Sequence, residues 1–182
     1  GYGGVSIMSE LRTNRIVPRD GLPSGSSGGI IQIKSATKTD RQLSNNSSYV
    51  DVTGMSVSIT PTRSDSKIFI MINVHVGGDQ ASYLAFRVLR DSTVVTQGTH
   101  ATGNRTNVSF GGRIDQDYDN YMMSFNFLDS PSTTSATTYK LQVSDAYDSA
   151  NRNIVINGTG DDANDTYTLC GTSTITVMEV SG

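Results

Sequence analysis

The stretch KIFIMINVHVGG, residues 67–78, decides how this chain is read. Ile68, Ile70, Ile72, Val74 and Val76 alternate with Lys67, Phe69, Met71, Asn73 and His75. Successive side chains of a β-strand leave opposite faces, so a period of two marks a strand. Five β-branched residues on one face mark it as buried. The other face carries Phe69 and Met71 as well, so this strand is apolar on both sides at one end.

Working outward, further strands are expected at residues 30–35, 49–60, 82–90, 93–97, 106–113, 121–127, 139–143, 153–157 and 172–180. Gly54 marks a bulge or bend in the second of these. Asp91-Ser92 reads as a tight turn. No stretch keeps helical periodicity beyond two turns. Nine or ten short strands with polar turns predict an all-β protein, an antiparallel β-sandwich of jelly-roll-like form. The last strand, TSTITVMEV, puts Ile175 and Val177 on one face and Met178 and Val180 on the other. A strand apolar on both faces needs a second cover. Phe69, Met71, Met178 and Val180 are therefore the expected subunit interface of an oligomer.

Residues 1–29 differ in character from this body. Leu11, Ile16, Val17 and Leu22 are sparse apolar points among Arg12, Arg15 and Arg19, and Pro18, Pro23 and SGSSGG exclude a long regular element. The expectation is an extended N-terminal arm and Gly/Ser linker over 1–29 and a β-sandwich head over 30–182. Leu11, Arg12, Arg15, Ile16 and Val17 are the candidate anchoring residues. Met8 is a possible start, and the chain could equally be a piece of a longer protein.

The 182 residues carry a net charge of −3, with 17% charged and 35% hydrophobic residues. That balance gives no electrostatic footprint for nucleic acid. No apolar run reaches the length of a membrane span. Cys170 is the lone cysteine, expected as a small buried side chain in a strand. His75 and His100 lack ligand partners at metal spacing. DQDYDN, residues 115–120, opens like a calcium loop, but Asn126 stands where such a loop needs a bidentate Glu. Asp161, Asp162 and Asp165 are a second acidic loop, and solvated loops are the expectation for both. GGR at 111–113 and GTG at 158–160 open no helix and are not phosphate cradles. Asn46, Asn104, Asn107, Asn157 and Asn164 begin Asn-x-Ser/Thr triplets, which composition alone explains.

No nucleophile–base pair is spaced for catalysis, so an enzyme is not expected. A polysaccharide depolymerase would need paired acids on a groove, for which Asp145 with Asp148 or Asp161 with Asp162 are the dense candidates. Neither a cofactor nor a metal ion is expected. Loops rich in Tyr, Asn, Asp and Ser suit adaptable recognition. The candidate host-surface residues are Asp115, Asp117, Tyr118, Asp119, Tyr147, Asn151, Arg152, Asp161 and Asp162.

The arm MSELRTNRIVPRDG resembles the N-terminal segment of tail-fibre-like and virion structural proteins of marine bacteriophages, those of cyanobacteria in particular. GGIIQIKSATKTD, the run from SSYVDVTG to KIFIMINVHVG, the hairpin YLAFRVLRDSTVV and the terminal TSTITVMEV are similar to segments of the same family. Leu11 and Asp91 replace residues more usual there. The resemblance spans nearly all of 8–180 and is weakest over 98–120 and 144–170. It implies a virion appendage on the particle surface, a homotrimer with a β-sandwich head. The arm would bind other virion proteins and the head would contact host surface polysaccharide. The alternative is a capsid decoration or tail component that binds only virion proteins.

Overall fold

The computed structural model describes residues 29–100, 102–147 and 152–181. Eleven strands occur among them, and no helix, so no helix is long and apolar enough to cross a membrane. They are β1 (Ile30–Lys38), β2 (Gln42–Ser44), β3 (Val50–Ile59), β4 (Lys67–Gly78), β5 (Tyr83–Arg90), β6 (Thr93–Thr96), β7 (Phe110–Arg113), β8 (Asn120–Asp129), β9 (Thr137–Asp145), β10 (Ile154–Ile156) and β11 (Ser173–Val180).

The strands condense into two sheets of four rows. β4 pairs with β8 along one edge; its other edge takes β11 opposite residues 67–73 and then β10 opposite 76–78. β1 pairs β11 and β2 pairs β10, so the first sheet runs β1/β2, β11/β10, β4, β8. The second runs β3, β9, β5, with β6 and β7 sharing the outer edge of β5. All pairings are antiparallel. Numbered along the chain, the rows stand in the order 1-8-3-6 over 2-7-4-5, which is jelly-roll connectivity. The expected all-β sandwich is the observed fold.

Burial follows from pleat and position. Ile68, Ile70, Ile72, Val74 and Val76 are fully buried between the sheets, facing Met55, Phe86, Val88, Tyr139, Leu141 and Val143. Each such side chain contributes about 1.5–3 kcal/mol by leaving water. Phe110 bridges the stacked rings of Phe86 and Phe125, carrying the core to the open edge. Gly54, at φ +81°, sits in the register shift between Asp51 and Ser56, where the bulge was expected.

Three readings change. The strand expected at 106–113 is confined to Phe110–Arg113, and β2 has no counterpart among the expected strands. Cys170 is exposed in a loop rather than buried in a strand. That loop, residues 157–172, interrupts the last row between β10 and β11. Its two ends close on Asn157, which is buried at φ +62°. Its Nδ2 donates to the carbonyls of Lys38 (3.0 Å) and Asp40 (3.1 Å), and its Oδ1 accepts from Ser173 Oγ (2.6 Å). Ser173 Oγ accepts in turn from the His75 amide (2.9 Å). A compact loop with close, hydrogen-bonded ends results. Burial also removes Asn157 as a glycan acceptor.

Polar groups lock the opposite end of the sandwich. Asp129 of β8 accepts two bonds from Arg90 of β5 (2.7 and 2.9 Å) and one from the buried Tyr139 of β9 (2.7 Å), tying the sheets together. Burial first, then the Asp129 carboxylate, holds the Tyr139 hydroxyl protonated far above its ordinary range. Glu179 is 0% exposed, the fourth inward residue of β11. It accepts from Gln32 Nε2 (2.6 Å) and from both the amide and the hydroxyl of Thr62 (2.7 Å each).

Two outcomes are expected. Asn157→Gly keeps the left-handed backbone but removes three side-chain hydrogen bonds, and should cost about 3 kcal/mol in chemical denaturation. For Glu179, burial raises its pKa, but the bonds from Gln32 and Thr62 outweigh it and hold the carboxyl below its ordinary 4.5. A lowered folded pKa stabilises above the unfolded value and is lost as pH falls through the folded one. The stability gap between wild type and Glu179→Gln should therefore be full above about pH 4.5 and shrink below it, as read by melts across that range.

Candidate functional site

The sandwich has two unlike ends. At one end lie Gly29, Ser181 and the turns 60–66, 91–92 and 130–136. At the other lie the connections 45–49, 79–82 and 114–119, residues 146–147 and 152–153, and the 157–172 loop, which leaves the last row beside Val76. The three stretches expected to face a host surface come from different parts of the sequence. The fold brings the described residues of all three to this second end, the apex.

Backbone contacts weld the apex together. The 79–82 turn is its hub. Ala81 donates to Ile114 O (2.7 Å) and Ile114 to Ser82 O (3.0 Å). Asp79 accepts from the amide (2.8 Å) and side chain (2.9 Å) of Asn153, and Gln80 N donates to Asp117 Oδ1 (2.5 Å). Asp161 N donates to Asp117 O (3.2 Å), joining the two acidic loops directly. Gly160 permits that approach: a Cβ there would lie 2.3 Å from Gly78 O. Gly160 of the GTG at 158–160 thus serves close packing.

The acids are engaged in holding these loops. Asp119 accepts from Gln116 N (3.0 Å), Asp161 from Ala163 N (3.0 Å) and Asp165 from the Tyr167 hydroxyl (2.6 Å). Asp115 pairs with Arg113, and Asp162 with Arg41 at 3.4 Å. Among the described residues no group of three His, Cys, Asp or Glu is placed to hold a metal ion. Asp145 is buried, accepting from the amides of Tyr83 (3.4 Å) and Tyr147 (3.1 Å). Asp148 and Asn151 lie outside the described residues.

What the apex exposes is aromatic and hydrogen-bonding. Tyr118 and Tyr167 meet edge to face at 5.1 Å, each about half exposed. Tyr83 and Tyr147 stack at 5.4 Å between two guanidinium groups, Arg113 at 5.5 Å and Arg152 at 5.1 Å. Such pairs fix large amphipathic rings at little cost in side-chain freedom. The Asp165 carboxylate first, then burial, keeps the Tyr167 phenol protonated above its ordinary range. Tyr83, Arg113 and Tyr167 were missed by sequence reasoning, since the partners of Tyr83 lie 30 and 64 residues away at Arg113 and Tyr147, and that of Tyr167 lies 49 residues away at Tyr118. Strand register sets Tyr83 opposite Arg113, and the convergence of loops supplies the other pairs.

The predicted interface residues also share one surface. Phe69, Met71, Met178 and Val180 all lie on the outer face of the first sheet, half-buried. The register runs Ile33, Met178, Phe69, Leu128 straight across its four rows. Ile33 and Leu128, unremarked in the sequence, are 54% and 52% exposed. Ile30 and Val180 extend this row toward the arm end, and Met71 extends it toward the apex. The anchoring candidates Leu11, Arg12, Arg15, Ile16 and Val17 lie outside the described residues.

No family model matches the chain, and no curated protein matches it significantly. Among solved structures it is similar to that of infectious bursal disease virus, Gt strain, at 13% identity over 94% of this chain and 43% of that one, with a TM-score of 0.45. The Gx strain of the same virus gives 16% identity, 94% and 42% coverage and a TM-score of 0.44. The VP2 subviral particle of that virus gives 14%, 83% and 37%, and a TM-score of 0.39. The chain spans less than half the length of each. The jelly roll itself stands on the strand order of this chain.

Proposed function

We propose that this chain is a structural subunit of a bacteriophage virion, a fibre or appendage protein on the particle surface that contacts the host. The observation that carries this reading is the polarity of the sandwich. The segment before Ile30 joins at one end, beside Val180. The Tyr-, Asp- and Arg-rich loops gather at the other. A tether at one pole leaves the opposite pole to face outward. The resemblance of the arm and of four body segments to marine phage virion proteins points the same way.

In this reading the arm ties the assembly to the particle, and the face around Phe69 and Met178 joins copies into a homotrimer. The apex takes a hydroxyl-rich partner, host surface polysaccharide. Tyrosine rings offer apolar faces and phenol groups, and Asn and Arg side chains offer donors. The second reading, a decoration protein that binds only virion proteins, draws on the uncovered apolar row.

Three measurements test this. Antibody raised to the chain should label purified particles; unlabelled particles would remove the virion reading. Light scattering should give three times the 19.5 kDa chain mass, and a single-chain mass would remove the trimer. Tyr118→Ala combined with Tyr147→Ala should weaken binding to host cells about tenfold or more at an unchanged melting midpoint. Undiminished binding would favour the decoration reading instead.

A further inference from the structure

We infer that the apolar row Ile33–Met178–Phe69–Leu128 is the docking site for the N-terminal arm of an adjacent copy, seated through Leu11, Ile16, Val17 and Leu22. The inference rests on the proposed assembly and names what covers its contact face.

The row is a coherent surface. Its four residues are direct cross-strand neighbours, one from each row of the first sheet. With strands about 4.8 Å apart it spans roughly 14 Å. Ile30 and Val180 border it on the arm side and Met71 on the other. Beyond Met71 the same outer face turns to uncharged polar residues, as in Ser35–Thr176 and Asn73–Ser124. Lys67 is the charged residue beside the row, and its amine is spent on Ser130 (2.9 Å). A contiguous apolar stripe on an otherwise polar face marks a contact surface.

The position and direction of the chain name the occupant. Ser181 N donates to Gly29 O (3.1 Å), so the β1–β11 ladder continues to the last described residue before the arm. The backbone therefore points off the end of the sheet, next to the row. At about 3.3 Å per residue, Leu22 reaches up to roughly 23 Å beyond Gly29, more than the width of the row. To cover its own row the arm must reverse within residues 23–28. A neighbouring copy placed in the path of the arm presents the same row without that reversal. The arm also suits the task by composition: four apolar residues among Arg, Asn, Pro and Gly are too few for a core of their own. Both surfaces are satisfied when one copy's arm crosses the next copy's sheet, a head-to-tail contact that in the proposed homotrimer closes as a ring of three.

The test uses the full chain. Leu128→Cys in a Cys170→Ser background receives a thiol-linked photo-crosslinker, in co-assembled mixtures of ordinary and ¹⁵N-labelled copies. Crosslinked peptides should join position 128 to residues 8–24, and mixed-isotope pairs should be present. The combined Ile16→Asp and Leu22→Asp variant should reduce their yield about tenfold or more. Its far-ultraviolet circular dichroism should match the parent's, so that lost docking is not lost folding. Crosslinks between two sandwiches would overturn the inference while leaving self-assembly standing. Same-isotope arm crosslinks alone, or none, would overturn it too, and the virion reading would still rest on antibody labelling.

Discussion

Everything in this structure depends on β4 being hydrogen-bonded along both edges while its inner face is wholly aliphatic. Ten consecutive residues pair with β8 on one side, and β11 and then β10 occupy the other. A strand enclosed in this way cannot slide, because a shift of one residue would move five buried aliphatics to the outer face and bring Lys67, Asn73 and His75 inward. Its register therefore fixes those of β8 and β11, and β11 fixes β1. In the second sheet β9 is likewise paired along both edges, by β3 and β5, but its β3 pairing is broken by a register shift. β5 pairs along one edge with β9, but along the other with two short strands separated by residues 97–109.

That asymmetry accounts for what the sequence disclosed. β4, β5, β8, β9 and β11 announce themselves because each has one buried face, and alternation is the direct imprint of a buried face. β2 and β7 do not. β2 is a three-residue row extension, and in β7 the residues Gly111 and Gly112 leave no pattern to read. Gly111 is required there for another reason, since a Cβ would lie 2.3 Å from Leu84 O. The misplacement of Cys170 has the same origin. A cysteine near a strong terminal strand looks like core, and nothing local says that residues 157–172 leave the sheet. The cause lies in Asn157, whose buried amide answers to Lys38 and Asp40, more than a hundred residues earlier.

The inward Glu179 shows where alternation reads truly and hydrophobicity misleads. By period it belongs with Ile175 and Val177; by chemistry it belongs in water. The period prevails because the end of β11 is supplied with donors, two from Thr62 and one from Gln32. Asp129 resolves the same conflict with Arg90 and Tyr139. Buried carboxylates persist where hydrogen-bond donors converge on them, and removing a donor leaves the charge uncompensated. Both sites close the sandwich at the arm end, where a purely apolar margin would fray into water.

The apex was legible only in part, for a related physical reason. Its loops showed their composition in the sequence but not their convergence, because composition is local and convergence is a property of jelly-roll connectivity. Once row 3 lies beside rows 6 and 8, the ends of β4, β8 and β10 must meet, and 79–82, 114–119 and 157–172 meet with them. The outer apolar row obeys the same rule at the other end. Met178 and Phe69 each read as an oddity on its own strand, yet register makes them neighbours and adds Ile33 and Leu128. Four unremarkable residues on four strands become one surface solely through pairing. A single-residue slip at β8 would turn Leu128 inward and break that surface. The integrity of the row is therefore tied to the same β4 register that builds the core.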